Sequence, residues 1–130
     1  MSVSGDDFLN SAHEFLDKKR EIDYRNFISR GYYGMYHKIL SVLNYMPNVS
    51  GSHHSALIEY LSNSSQHKNE PYDSMKLKSL GYIMFQERLS RNKADYELDC
   101  EEFNEDIVEL SKKTHKRFNE TIEQLQKCCH

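Results

Sequence analysis

Apolar residues recur along this chain at intervals of three and four rather than two, a pattern that predicts helices throughout. Phe8, Leu9, Ala12, Phe15 and Leu16 make the first stripe, on a helix from about Asp6 to Lys19. Ser4 or Asp6 caps it, Asp6 and Asp7 suit its positive end, and Lys18, Lys19 and Arg20 suit its negative end. A second helix is predicted from about Asp23 to Leu43, with Ile28, Tyr32, Met35, Ile39 and Leu43 on its apolar face. The polar stretch Asn44 to Gly51, with Pro47, leads to a short third helix over His53 to Leu61, capped by Ser52. Ser62 to Asp73 is polar, holds Pro71, and is predicted to be the most mobile loop. A fourth helix follows over Ser74 to Asn92, with Leu77, Leu80, Met84 and Leu89 turned inward, and then a break near Ala94 to Asp99. The fifth runs from Glu101 to Lys127, with Phe103, Ile107, Leu110, Phe118, Ile122 and Leu125 inward and Thr114 filling one gap. No segment alternates with period two. The expectation is an all-α single domain, residues 1–130 with a core over about 5–127, built as an antiparallel bundle of four to five helices.

Composition narrows the function classes. A chain of 130 residues has the size of one domain and buries a core without disulfides or metal. The net charge of −3 argues against a broad electrostatic clamp on nucleic acid, though not against a local cationic site. Met1 to Leu9 has neither the basic start nor the apolar run of a signal peptide, and no apolar run is long enough for a bilayer. Cys100, Cys128 and Cys129 are an odd set with two adjacent, a poor disulfide framework that fits a reduced, cytoplasmic setting. Cys128-Cys129-His130 reads as a frayed helix end rather than half a metal site, because zinc needs four ligands at defined spacings.

The second helix has a less ordinary face. At about 100° per residue, Asp23, Asn26, Arg30, Tyr33, Gly34, His37 and Ser41 fall together opposite the apolar stripe. Arg30 and His37 are two turns apart, about 10.5 Å along the axis. Histidine gives and takes protons near neutral pH, arginine holds phosphate with paired hydrogen bonds, and Tyr33 between them orients a phosphate or stacks on a base. Gly34 costs about 1 kcal/mol of helix propensity and lets another backbone or a ligand come close. A polar stripe is ordinarily a solvated face, and with six arginines and seven histidines one such spacing is expected by chance.

The segment Ser29-Arg30-Gly31-Tyr32-Tyr33-Gly34-Met35-Tyr36-His37 resembles the "SRAYYAMFH" helix of HEPN-domain proteins. Ser52-His53-His54-Ser55-Ala56-Leu57 is similar to that family's "SHKGV" helix start, and Arg91-Asn92-Lys93-Ala94-Asp95-Tyr96 to its "RxxADY" element. The three matches occur in the family's order, and the resemblance covers roughly residues 5 to 127.

The resemblance implies an all-α bundle that commonly forms a symmetric homodimer, with many members acting as metal-independent endoribonucleases in toxin–antitoxin, phage-defence or CRISPR systems. It implies RNA, tRNA included, as substrate, no cofactor, and an antitoxin or nucleotidyltransferase as further partner. The family signature of Arg, four to six residues and His is met by Arg30 and His37, which the resemblance makes phosphate binder and proton-transfer residue. Gly34 would then allow two subunits to approach and bring two Arg/His pairs to one cleft. Tyr33, His53, Arg91 and Asp95 are the supporting candidates. His53 either packs or caps at its helix start or joins the site. Asp95 either pairs with Arg91 at the helix 4–5 break, with Tyr96 buried, or orients a site histidine. Lys112, Lys113, Lys116 and Arg117 read as a solvated face. Gly31 after the motif arginine and Ile39 two residues after the histidine depart from active and tyrosine-regulated members respectively. A non-catalytic module that binds a nucleotide or a partner nucleotidyltransferase through the same face is the rival class, and a helical dimerisation scaffold is a third.

Overall fold

A computed structural model describes residues 3–45 and 52–127. It is all-helical: α1 (Gly5–Glu14), α2 (Glu21–Val42), α3 (His53–Ser62), a 3₁₀ turn over Ser64–Gln66, α4 (Ser74–Tyr96) and α5 (Glu105–Lys127), with no strand among the described residues. None of these helices is long and apolar enough to cross a membrane. Residues 46–51, with Pro47 and Gly51, and the Cys128-Cys129-His130 end lie outside the described residues.

α2 is the axis of the bundle, packed by α1, α4 and α5, while α3 leans on α4. Contacts fix the directions. Arg25 reaches Ala94 and Tyr33 reaches Arg91, so α2 and α4 are antiparallel. Tyr24 meets Glu105 and Lys38 meets Asn119, so α2 and α5 run parallel, both antiparallel to α4 between them. One core gathers Tyr32, Met35, Ile39, Leu57, Leu61, Leu77, Leu80, Met84, Phe118 and Ile122, and a second gathers Ala12, Tyr24, Phe27, Ile28, Phe103 and Val108.

α1 starts on a capping box, Ser4 Oγ accepting from Asp7 N–H and the Asp7 carboxylate from Ser4 N–H. It ends at Glu14, well short of the expected Lys19. Phe15 and Leu16 close it with i→i−3 bonds, and Lys19, at φ 54°, turns the chain into α2. α1 crosses α2 at Gly5 and Gly34 so closely that a Cβ on Gly5 would stand 2.6 Å from the Gly34 carbonyl oxygen and 2.7 Å from the Lys38 nitrogen. These are backbone atoms and cannot step aside. Gly5→Ala is therefore expected to destabilise the fold by about 1–3 kcal/mol, read as a lower midpoint in urea. A midpoint at or above wild type would show that α1 docks elsewhere.

The segment expected to be the most mobile is pinned. The buried Glu70 carboxylate accepts from the backbone N–H of Asn44 and Tyr45 and, at 2.5 Å, from Tyr60 Oη. Buried His67 bridges Ser74 Oγ and the Tyr60 carbonyl, and Tyr72 Oη donates to the Val42 carbonyl. Polar composition signalled a loop, but those polar groups are spent on anchoring. Three inward residues are also corrected: Leu89, Tyr96 and Leu110 are exposed.

Candidate functional site

α2 presents a ribbon between α1 on one side and α3 and α4 on the other. Arg30 and His37 are both exposed on it, Tyr33 is half-buried, and Asp23 is buried, its carboxylate drawn back to the Arg20 guanidinium and N–H. Hydrogen bonding to Arg20 holds the Asp23 carboxyl below its ordinary range. Arg30 and His37 open onto different hollows. Arg30 lines one of about 240 Å³ with Asp7, Phe8, Ser11 and Phe15. His37 lines another of about 670 Å³ with Asp6, Lys38 and Ser41. Phe8 belongs to the first hollow, and its ring lies 5.5 Å from that of His37. Among the described residues no contact joins Arg30 to His37. Gly34, expected to admit a second subunit, is covered by the chain's own α1, with Leu9 Cγ 2.7 Å from where its Cβ would be.

The other candidates do converge, and they converge on His54. Its ring lies 4.2 Å from Tyr36 and 5.9 Å from Tyr33, and Tyr36 in turn is 5.2 Å from His37. Tyr32 Oη stands 2.9 Å from His54 Nδ1. Tyr32 is buried, burial pushes its phenol up to about 12, and its proton needs an acceptor. The assignment that satisfies this buried phenol makes His54 Nδ1 the acceptor and puts the ring hydrogen on Nε2. Burial lowers the His54 pKa, and the charges of Arg88, Arg91, His37 and His53 push the same way, so the ring is held neutral.

α4 supplies the cations. Arg91 Nη2 donates to Tyr33 Oη, its guanidinium lies 4.9 Å from the Tyr33 ring centre, and its Nε faces Asp95 Oδ2 at 2.9 Å. Asp95 also accepts from Ser29 Oγ at 3.1 Å. The expected Arg91–Asp95 pair thus exists, but within α4, which continues to Tyr96, and it ties α4 to α2 rather than to a helix break. Arg88 donates to Ser55 Oγ at 2.6 Å and Ser52 Oγ at 3.5 Å, and among the described residues no carboxylate pairs with it. His53 is exposed beside the patch, and Ser52 does the capping of α3.

Compared with known protein families, with curated proteins and with solved structures, the chain has no match in any of the three.

Tyr33, His37, Arg91 and Asp95 therefore share one patch, His53 lies beside it, and Arg30 stands apart. His54 and Arg88 are its unforeseen members. Arg88 had a signal, since Arg88, Arg91 and Asp95 follow at three and four along one side of α4. His54 had only its place beside His53, because its role depends on a tyrosine 22 residues away.

Proposed function

We propose that the chain is a metal-independent endoribonuclease of the HEPN type, a toxin or phage-defence effector acting on RNA. The observation that supports this is the gathering of an exposed imidazole, His37, two guanidinium groups, Arg88 and Arg91, and a neutral donor, His54, on one tyrosine-lined patch. In this reaction the ribose 2′-oxygen attacks the adjacent phosphorus, the new P–O2′ bond forms, and the P–O5′ bond breaks. The 2′ proton leaves to a base, and the 5′-oxygen departs protonated, giving 2′,3′-cyclic phosphate and 5′-hydroxyl ends. His37 is the proton-transfer residue of this reading. Arg88 and Arg91 hold the phosphate oxygens and meet the extra charge of the transition state, with His54 Nε2–H as an uncharged donor. Arg30, further along the ribbon, holds a neighbouring stretch of RNA. With a net charge of −3, affinity for RNA rests on this local cluster.

Purified protein is incubated in EDTA with total RNA and with a tRNA pool, beside His37→Ala. Because His37 is exposed, the variant keeps its fold, and cleavage falls by roughly 10²–10⁴-fold. Cleavage retained by His37→Ala would overturn the assignment. Saturable nucleotide binding with no cleavage by either protein would instead favour the binding-module reading.

A further inference from the structure

The exposed side of α4 carries a second apolar stripe, whose first turns border a hollow shared with Arg117 and Thr121 of α5. Met75, Tyr82, Phe85, Leu89 and Tyr96, interrupted by Lys78 and Asn92, are spaced alternately by three and four along the whole helix. That is the spacing of a seam made to meet another helix. The five apolar residues are between 47 and 69 % exposed. Three are aromatic, and the exposed surface of all five, tyrosine hydroxyls included, comes to roughly 600 Å², the upper end of the apolar patch a monomer ordinarily leaves open.

The order of the stripe is symmetrical about Phe85. Outward from it on either side come an apolar residue (Tyr82, Leu89), a polar one (Lys78, Asn92) and an apolar one (Met75, Tyr96). We infer that this ridge is the contact between two copies of the chain, α4 packed antiparallel on α4 about a two-fold axis at Phe85.

Phe85 then meets its own copy, Tyr82 meets the partner's Leu89, Lys78 the partner's Asn92, and Met75 the partner's Tyr96. Apolar faces apolar and polar faces polar at every step. A surface that complements itself across a two-fold is what an isologous interface requires, and a site for an unrelated protein has no need of that symmetry. Parallel pairing in register would set Lys78 against the partner's Lys78, whereas the antiparallel arrangement sets it against an amide. Complete covering of the ridge in both copies would bury about 1,200 Å², the lower end of a specific interface, with the aromatic enrichment typical of such contacts. The ridge meets the patch at one end, where the Tyr96 ring lies 5.4 Å from the Arg91 guanidinium, and its tests read association rather than cleavage, so the inference stands whether or not the chain cleaves RNA.

Sedimentation equilibrium on the whole chain is expected to give twice the mass of one chain. Phe85→Glu puts two carboxylates on the axis and weakens association by roughly 30-fold or more. Leu110→Glu, a change of the same kind at an exposed leucine of α5, leaves association unchanged. Tyr82→Lys and Leu89→Glu each weaken it, and the double variant restores it because each lysine faces a glutamate; circular dichroism confirms that every variant is folded. A monomeric wild type overturns the inference, as does a dimer indifferent to Phe85→Glu or a double variant that is not restored. So does a dimer broken by Arg30→Glu on α2 but not by Phe85→Glu.

Discussion

Replacing Arg25 by methionine is expected to destabilise the fold by about 3–5 kcal/mol, the range for stranding buried groups that a removed charge had satisfied. Arg25 is only 4 % exposed, and its guanidinium closes the C-terminal end of α4. Nη1 donates to the carbonyls of Lys93, Ala94 and Glu97 at 3.0–3.2 Å, and Nη2 to those of Leu98 and Cys100 at 3.3 and 2.8 Å. Carbonyls in the last turn of a helix have no partner within it, and the negative end of the helix dipole favours a cation there. The Phe103 ring covers the other side at 4.6 Å, and Glu21 takes Nε at 3.2 Å. Methionine keeps most of the volume and satisfies none of the five carbonyls; those of Lys93 and Glu97 keep the N–H groups of Glu97 and Cys100, while those of Ala94, Leu98 and Cys100 lose the donor that Arg25 supplied. Lysine keeps the charge, but its single ammonium cannot reproduce a fork spread over five acceptors, so Arg25→Lys recovers only part of the loss. Arg20 sets the contrast: its side chain is exposed and pairs at 2.8 Å with buried Asp23, whose carboxylate keeps the Arg20 backbone N–H when the guanidinium is removed, so Arg20→Ala is expected to cost about 1–2 kcal/mol. Urea midpoints compare the three variants. A loss below about 1 kcal/mol in Arg25→Met would mean that water replaces the guanidinium.

The helical periodicity was enough to read the number and order of the helices, because most buried positions hold apolar residues. It misled where polar residues occupy core positions. The buried face of α5 is Val108, Ser111, His115, Phe118, Ile122 and Leu125, a regular three-and-four stripe with a serine and a histidine inside it. Counting apolar residues alone skips both and substitutes the exposed Leu110. On α4 the buried stripe Leu77, Leu80, Met84, Glu87 and Ala94 contains a glutamate, and the parallel outer stripe through Leu89 is the more apolar of the two near its C-terminal half. The same blindness hid the reason for Gly31. A Cβ there would stand 2.5 Å from Cε1 of His115, so this departure from the resembled motif is required by the core, not by the ribbon.

The patch divides in the same way. Tyr33 and His37 share a helix, and Arg91 and Asp95 share another, so their grouping is written in local spacing. That His54 joins them depends on α3 lying along α4, which no local spacing encodes. Two turns of spacing place Arg30 and His37 on one ribbon but do not encode that α1, through Phe8, fills the ground beside both.

Glu87 and His115 face the same buried serine from α4 and α5, and they make the stability of the fold depend on pH in opposed senses. Ser111 Oγ lies 3.3 Å from His115 Nε2 and also draws the Glu87 carboxyl down, while Glu87 Oε2 is buried without a hydrogen-bond partner among the described residues. Burial pushes the Glu87 carboxyl up to about 7, against the pull of Arg117. Burial pushes His115 down to about 4, helped by the charge of His13 from α1. Both groups are therefore neutral inside the fold across the mildly acidic range. Glu87 binds its proton more tightly when folded, so its contribution is complete below its unfolded value of 4.5 and is lost as the pH rises through 7. His115 binds its proton less tightly when folded, so its contribution is present above its unfolded value of 6.5 and is lost as the pH falls through 4. Between those limits one group's loss offsets the other's gain, and the pair leaves stability nearly level with pH. Glu87→Gln keeps the shape of the side chain and removes one arm. Its advantage over wild type is expected to grow from near zero at pH 4.5 to about 3 kcal/mol by pH 7.5, following the 1.4 kcal/mol that each pKa unit represents, roughly. His115→Phe removes the other arm, and its stability relative to wild type falls across the same interval, with any cost of fitting the larger ring beside Gly31 adding a constant offset. Urea denaturation from pH 4.5 to 7.5 reads both slopes. A difference between Glu87→Gln and wild type that stays flat across that range would mean that Glu87 is already ionised in the folded protein, held by Arg117.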